Sequence, residues 1–151
     1  MESTFKAWKT SRQLYADFFD SHTLGQLNKI PQGFNNNLIW NIGHIIVSQQ
    51  SLIYKSSEVP MRIEDDLFER YKPGTKPTGT VSQDEASELK NLLTSLVEQT
   101  EKDFHSHKFT VFNERTTLTG FNLASLKDAF EFINYHEGIH LGYMMSIRKF
   151  V

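Results

Sequence analysis

The chain has 151 residues, with 16 basic and 18 acidic side chains, a formal net charge of −2 and no cysteine. That length suits one domain over 1–151 with its own core, and the lack of thiols excludes disulfides, thiolate ligands and Cys nucleophiles, so any metal must be held by His, Asp or Glu. The charge balance gives no general attraction to nucleic acid or anionic membrane, no apolar run reaches bilayer length, and MESTFKAWKTSRQLY lacks a signal-peptide core, so a cytoplasmic protein is expected.

The first predicted helix runs roughly from Thr4 to Ser21, with Phe5, Trp8, Leu14, Tyr15, Phe18 and Phe19 approximating a 3.6-residue stripe and Lys and Arg between them. A polar link with Gly25, Pro31 and Gly33 follows, tucked down by Leu24, Leu27 and Ile30. The second helix begins at Asn35 to Asn37, good N-cap residues, and continues to about Lys55. It is apolar over so much of its circumference that it is expected at the centre of the fold. Residues 57–81 hold Pro60, Pro73 and Pro77 with Gly74 and Gly79, which predicts a long connection with one short helical turn at Asp65 to Tyr71. Long ordered loops of this kind often cover sites.

Ser82 with Glu85 three residues later, a predicted capping box, opens the third helix, whose apolar face is Leu89, Leu92, Leu93, Leu96 and Val97, fading near His105. Phe109 to Gly120 is rich in Thr, Phe and Val and reads as a short extended piece. Ser125 and Asp128 cap the fourth helix, which runs nearly to the end. Four helices with long links between the second and third and between the third and fourth predict an all-α four-helix bundle.

In the fourth helix, Phe132, Ile133, His136, His140, Tyr143, Met144 and Ile147 share one stripe, so two histidines interrupt the core face itself. Two buried imidazoles in one place each need partners, because an unsatisfied buried polar group costs about 1–3 kcal/mol. One cation satisfies both. A third imidazole from a facing helix, with His44 on the second helix as the candidate, would complete a three-nitrogen site with one coordination position open, as reactive divalent sites have. The alternative for each histidine is a core imidazole hydrogen-bonded to a backbone carbonyl. His22, His105 and His107 sit at helix ends, where imidazolium interacts well with the helix dipole, and read as capping or surface residues.

His136-Glu137-Gly138-Ile139-His140 matches the zinc-protease pattern H-E-x-x-H, in which the Glu is general base. The remaining LGYMMSIRKFV supplies no His, Asp or Glu as a further ligand, and Tyr143 and Ser146 replace the Gly and His of the extended pattern. A protease is not expected. Glu137 stays a weak catalytic candidate, with solvent or a neighbouring helix as its expected surroundings.

IPQGFNNNLIWNIGHIIVSQQ, together with HEGIH in the last helix, resembles the DinB-like family of metal-binding four-helix bundles, the damage-inducible group related to YfiT-type and mycothiol-dependent proteins. The resemblance covers the whole chain in length and helix order. Its specific part is W-N-x-G-H followed, about 90 residues later, by H-x-x-x-H. It implies that His44, His136 and His140 bind a divalent metal, zinc or nickel most often, with water in the open positions. It also implies a homodimer and, in some members, a low-molecular-weight thiol as co-substrate. No cluster of Arg and Lys accompanies the three histidines in sequence.

The leading expectation is a metal-dependent thiol transferase or hydrolase acting on a small molecule, with no nucleic-acid or membrane partner. The alternative is a non-catalytic small-molecule-binding or interaction module with a structural or absent metal. Imidazole alone does not choose among zinc, copper, iron and nickel. Trp40, Asn41, Gln49 and Tyr143 are candidates for the pocket or for orienting ligands, Asn41 through its side-chain carbonyl.

Overall fold

The computed structural model describes residues 1–151 and is all-α apart from one two-stranded hairpin. Helix α1 spans Glu2–Ser21, α2 Leu24–Asn28, α3 Leu38–Gln49, α4 Asp65–Tyr71, α5 Gln83–His105 and α6 Leu126–Ile147; β1 is Arg115–Thr116 and β2 Asn122–Leu123. The cap residues legible in sequence set the helix starts: Asn37, Ser82 and Ser125 accept from the backbone N–H groups of Trp40, Glu85 and Asp128. The Glu85 carboxylate does not complete a capping box. It accepts from Arg70 and from the Tyr71 hydroxyl, tying α5 to α4.

Side-chain pairings fix the directions of the long helices. Phe5 meets Phe130 and Tyr15 meets Glu137, so α1 and α6 run the same way. Lys9 pairs with Glu101 and Asp20 with Lys90, so α5 runs against α1. Gln49 reaches Leu96 and Tyr54 reaches Asp103, so α3 and α5 are parallel. Asn41 meets His140 while His44 faces His136, so α3 runs against α6. Two parallel helices that follow one another need a connection as long as the bundle, which residues 58–82 provide with α4 in their middle.

Every residue of α3 is buried, as its apolar circumference predicts. Beyond Gln49 the helix does not stop. Gln50–Tyr54 wind as a wider π-helical turn and Lys55–Ser57 as a 3₁₀ turn, ended by Glu58 at φ 57°. The core is two apolar clusters, one around Tyr15, Ile42 and Leu89 and one around Phe5, Trp8 and Phe130. Arg12, Gln49 and Glu137, all buried, lie in sequence between the members that their helices give to the two clusters.

Three local expectations need correction. Leu14 is exposed, and Arg12 takes the buried place on the α1 stripe with Phe5, Trp8 and Tyr15. The link after α1 contains a helix of its own, α2, closed by a capping box between Thr23 and Gln26; its Leu27 is buried whereas Ile30 is exposed. Within Phe109 to Gly120 only Arg115 and Thr116 are extended and paired, against Leu123 and Asn122.

Candidate metal centre

The i, i+4 spacing puts His136 and His140 on the α3 side of α6, their rings 4.6 Å apart between centroids. His44, from the middle of α3, lies 5.3 Å from the first ring and 4.8 Å from the second. One nitrogen from each imidazole falls within 4.8 Å of the others, so the three can hold a metal ion.

Hydrogen bonds on the far side of two rings fix their tautomers. Asn41 donates its amide hydrogens to the Asn37 carbonyl at 2.7 Å and to Asn36 Oδ1 at 3.0 Å. Its Oδ1 therefore faces His140 and accepts from Nδ1–H at 2.7 Å. His44 Nδ1–H donates to the Tyr71 carbonyl at 2.8 Å. Both rings thus turn the Nε2 lone pair inward, the second-sphere arrangement typical of metal-ligating histidines. His140 Nε2 points at His136 Nε2, 3.2 Å away. Two nitrogens each about 2.05 Å from one tetrahedral ion would be roughly 3.3 Å apart. The donor set fits a divalent cation on distance, on tautomer and on softness.

The electrostatics favour neutral donors. Burial, with the charges of His44 and Arg12 behind it, pushes the His136 imidazolium down to about 4. Burial, then His136 and His44, push His140 down to about 3. Burial lowers His44 as well, against the pull of the Tyr71 carbonyl. At neutral pH all three offer lone pairs without first losing a proton.

Aromatic faces hold the rings from the sides. Trp40 stacks on His44 at 4.9 Å with 13° between planes, and Phe132 stacks on His136 at 5.6 Å and 24°. Gly43 makes room for α4: a Cβ there would overlap the Tyr71 ring, whose own carbonyl holds His44. A cavity of about 320 Å³ opens on the centre, with Trp40, His44, Ser48, Phe132 and His136 on its wall and Arg115 of the hairpin beside them. The Ser48 hydroxyl lies 3.3 Å from His44 Nε2.

Of the residues singled out in sequence, the structure brings His44, His136, His140, Trp40 and Asn41 together. It does not bring the others there. Glu137 is buried on the α1 side of α6, where its carboxylate accepts from Arg12 at 2.7 and 2.9 Å and from Trp8 Nε1 at 2.8 Å. Gln49 accepts from the same Arg12 and donates to the Leu96 carbonyl and to Thr100. Tyr143 is partly exposed, edge-on to Phe34. Sequence reasoning missed Arg12, which links α1 to Leu93 of α5, Ile45 of α3 and Glu137 of α6. Its signal was its place on the stripe, seven residues after Phe5 and three before Tyr15. The Tyr71 carbonyl had no signal, since a backbone group carries no residue code.

No helix is long and apolar enough to cross a membrane. Among curated proteins none matches the chain at a significant level. A family model described as the DinB superfamily matches residues 7–144, nearly the whole bundle with all three histidines, and the chain belongs to that superfamily.

Proposed function

We propose that the protein is a metal-dependent enzyme in which His44, His136 and His140 hold one divalent ion, zinc or nickel, and a small molecule reacts in the cavity beside it. The observation that carries this reading is the 3.2 Å approach of the His140 and His136 Nε2 atoms, the first ring turned by Asn41 and the second stacked on Phe132, with His44 held beside them by the Tyr71 carbonyl. Such an ion, when bound, lowers the pKa of a bound water toward about 7 or holds a thiol as thiolate. The chain's own residues supply the rest. Asn41 and Tyr71 orient donors, Trp40 and Phe132 keep bulk water from the rings, and Ser48 offers a hydroxyl to whatever lies beside His44.

Three protein ligands and a cavity that includes two of them favour an accessible ion over a closed structural one. The reaction is hydrolysis or transfer involving a low-molecular-weight thiol. Pairing of two copies, which the family resemblance implies, belongs to the same proposal and is read from the mass in solution by light scattering.

Elemental analysis of purified protein tests the metal directly. One equivalent of a divalent transition metal per chain is expected. His140→Ala is expected to lose it while keeping the helical circular dichroism of the wild type. A variant that binds the metal as tightly as wild type overturns the site. A folded wild-type protein that takes up no zinc, nickel or cobalt favours the non-catalytic binding module.

A further inference from the structure

The cavity beside the histidines has one permanently charged side chain on its wall, Arg115; no Asp, Glu or Lys lines it. Arg115 has no carboxylate partner anywhere in the fold. Its only hydrogen bonds come from one nitrogen, Nη1, and are long: 3.2 Å to Ser51 Oγ, 3.5 Å to the Ser51 carbonyl and 3.5 Å to Ser56 Oγ. Nε and Nη2 donate to nothing in the protein. That edge of a guanidinium is the one that meets a carboxylate through two parallel hydrogen bonds.

The hairpin does not need Arg115 as its anchor. Asn113 N–H donates to the Ser56 carbonyl at 2.7 Å, and Asn113 Nδ2 donates to Glu58 at 3.0 Å, just before the strand begins. The weak contacts to Ser51 and Ser56 therefore aim the guanidinium rather than satisfy it. The neighbouring walls are mixed. Trp40, Leu52 and Phe132 are apolar, while Ser48, Thr117 and Thr119 bring hydroxyls. The volume lies at the small end of the range of about 300–1,000 Å³ for small-molecule sites.

We infer that Arg115 is the specificity residue of this cavity and that the ligand is a small organic carboxylate, bound at one end beside the three histidines and at the other by the Arg115 fork. The inference rests on the metal reading above. A carboxylate is favoured over a phosphate because a phosphate dianion recruits more than one cation or a cradle of backbone N–H groups, and the wall offers a single guanidinium. Apolar walls between the two ends suit a short hydrocarbon spacer.

The test uses the full chain loaded with Co(II), whose visible absorption changes when a thiolate enters the coordination sphere. Mercaptoethanol, mercaptopropionate and longer mercaptocarboxylates up to mercaptohexanoate are titrated in turn. At least one mercaptocarboxylate is expected to bind tighter than mercaptoethanol by about tenfold or more, the size of a charge-assisted hydrogen-bonded pair. Arg115→Gln should remove the preference with cobalt loading and thermal midpoint unchanged, and Arg115→Lys should restore part of it. Equal affinities for mercaptoethanol and every carboxylate overturn the inference and leave the metal reading standing. So does a preference that survives in Arg115→Gln. A stronger preference for mercaptoethylphosphonate overturns the carboxylate assignment in favour of a phosphorylated ligand. A wild-type protein that takes up no cobalt overturns both readings.

Discussion

Arg12 and Glu137 form an ion pair closed off from water in the middle of the bundle, with side-chain exposures of 0 and 1%. Taking two charges out of water is costly, and only a fully hydrogen-bonded geometry offsets it. Here the geometry is complete. The guanidinium makes two bonds to the carboxylate and others to Gln49 and to the carbonyls of Leu93 and Ile45, while Trp8 fills a further acceptor site of Glu137. Glu137 sits one position after His136, so the pair also sets the rotation of α6 at the two histidines. Glu137→Gln leaves the Arg12 charge buried against a neutral amide and is expected to cost about 3–5 kcal/mol in urea unfolding. Arg12→Met with Glu137→Leu should recover most of that loss, because it removes both charges. The H-E-x-x-H pattern makes the opposite expectation for a general base: a Gln variant of wild-type stability with turnover abolished. Equal unfolding midpoints for wild type and Glu137→Gln would mean that the buried pair does not hold the bundle together.

Helix α4 is seven residues long and exposed over most of its surface, yet it sets the orientation of His44. Its last residue, Tyr71, lays its ring over Gly43, anchors its hydroxyl on Glu85 of α5, and turns its carbonyl onto His44 Nδ1. The glycine of W-N-x-G-H is thus a packing requirement of the neighbouring element. Gly43→Ala forces the Tyr71 ring outward. Helix propensity favours Ala at that position by about 1 kcal/mol, but overpacking costs about 1–3 kcal/mol. Because the ring and the carbonyl belong to one residue, the displacement also loosens His44. The expected outcome is a protein still helical by circular dichroism but with metal affinity lowered about 10–100-fold, the usual effect of losing an outer-sphere partner. Competitive titration with a chromophoric chelator measures it, and an unchanged affinity would show that Tyr71 does not hold the ligand.

At the scale of the whole molecule, the elements that sequence predicts well are those whose signal is local. The caps at Asn37, Ser82 and Ser125 and the full apolar circumference of α3 are written in neighbouring residues, as is the His136–His140 spacing. What the sequence hides is long-range. Arg12 reads as a break in an apolar stripe until three other helices supply its partners, and Arg115 becomes part of a cavity only because the hairpin folds back onto the π and 3₁₀ turns that follow α3. The interior of the bundle, two layers of apolar side chains around buried polar groups, also makes stability depend on pH. The depressed His136 and His140 bind protons less readily in the folded chain than in the unfolded one, whose histidines titrate near 6.5. The unfolded state therefore takes up more protons in between, so stability from these groups is intact above about 6.5 and is lost as pH falls from there toward about 4 and 3. A cation on the three rings adds stability that grows with its concentration relative to the dissociation constant, and protons displace it from the folded chain only near the acid end of that range. Thermal melts across pH are thus expected to show a midpoint raised by zinc at neutral pH, the increment shrinking as pH falls through about 4 and missing at every pH in His140→Ala. A chelator that leaves the wild-type midpoint unmoved at neutral pH would mean that the folded chain gains nothing from a cation there.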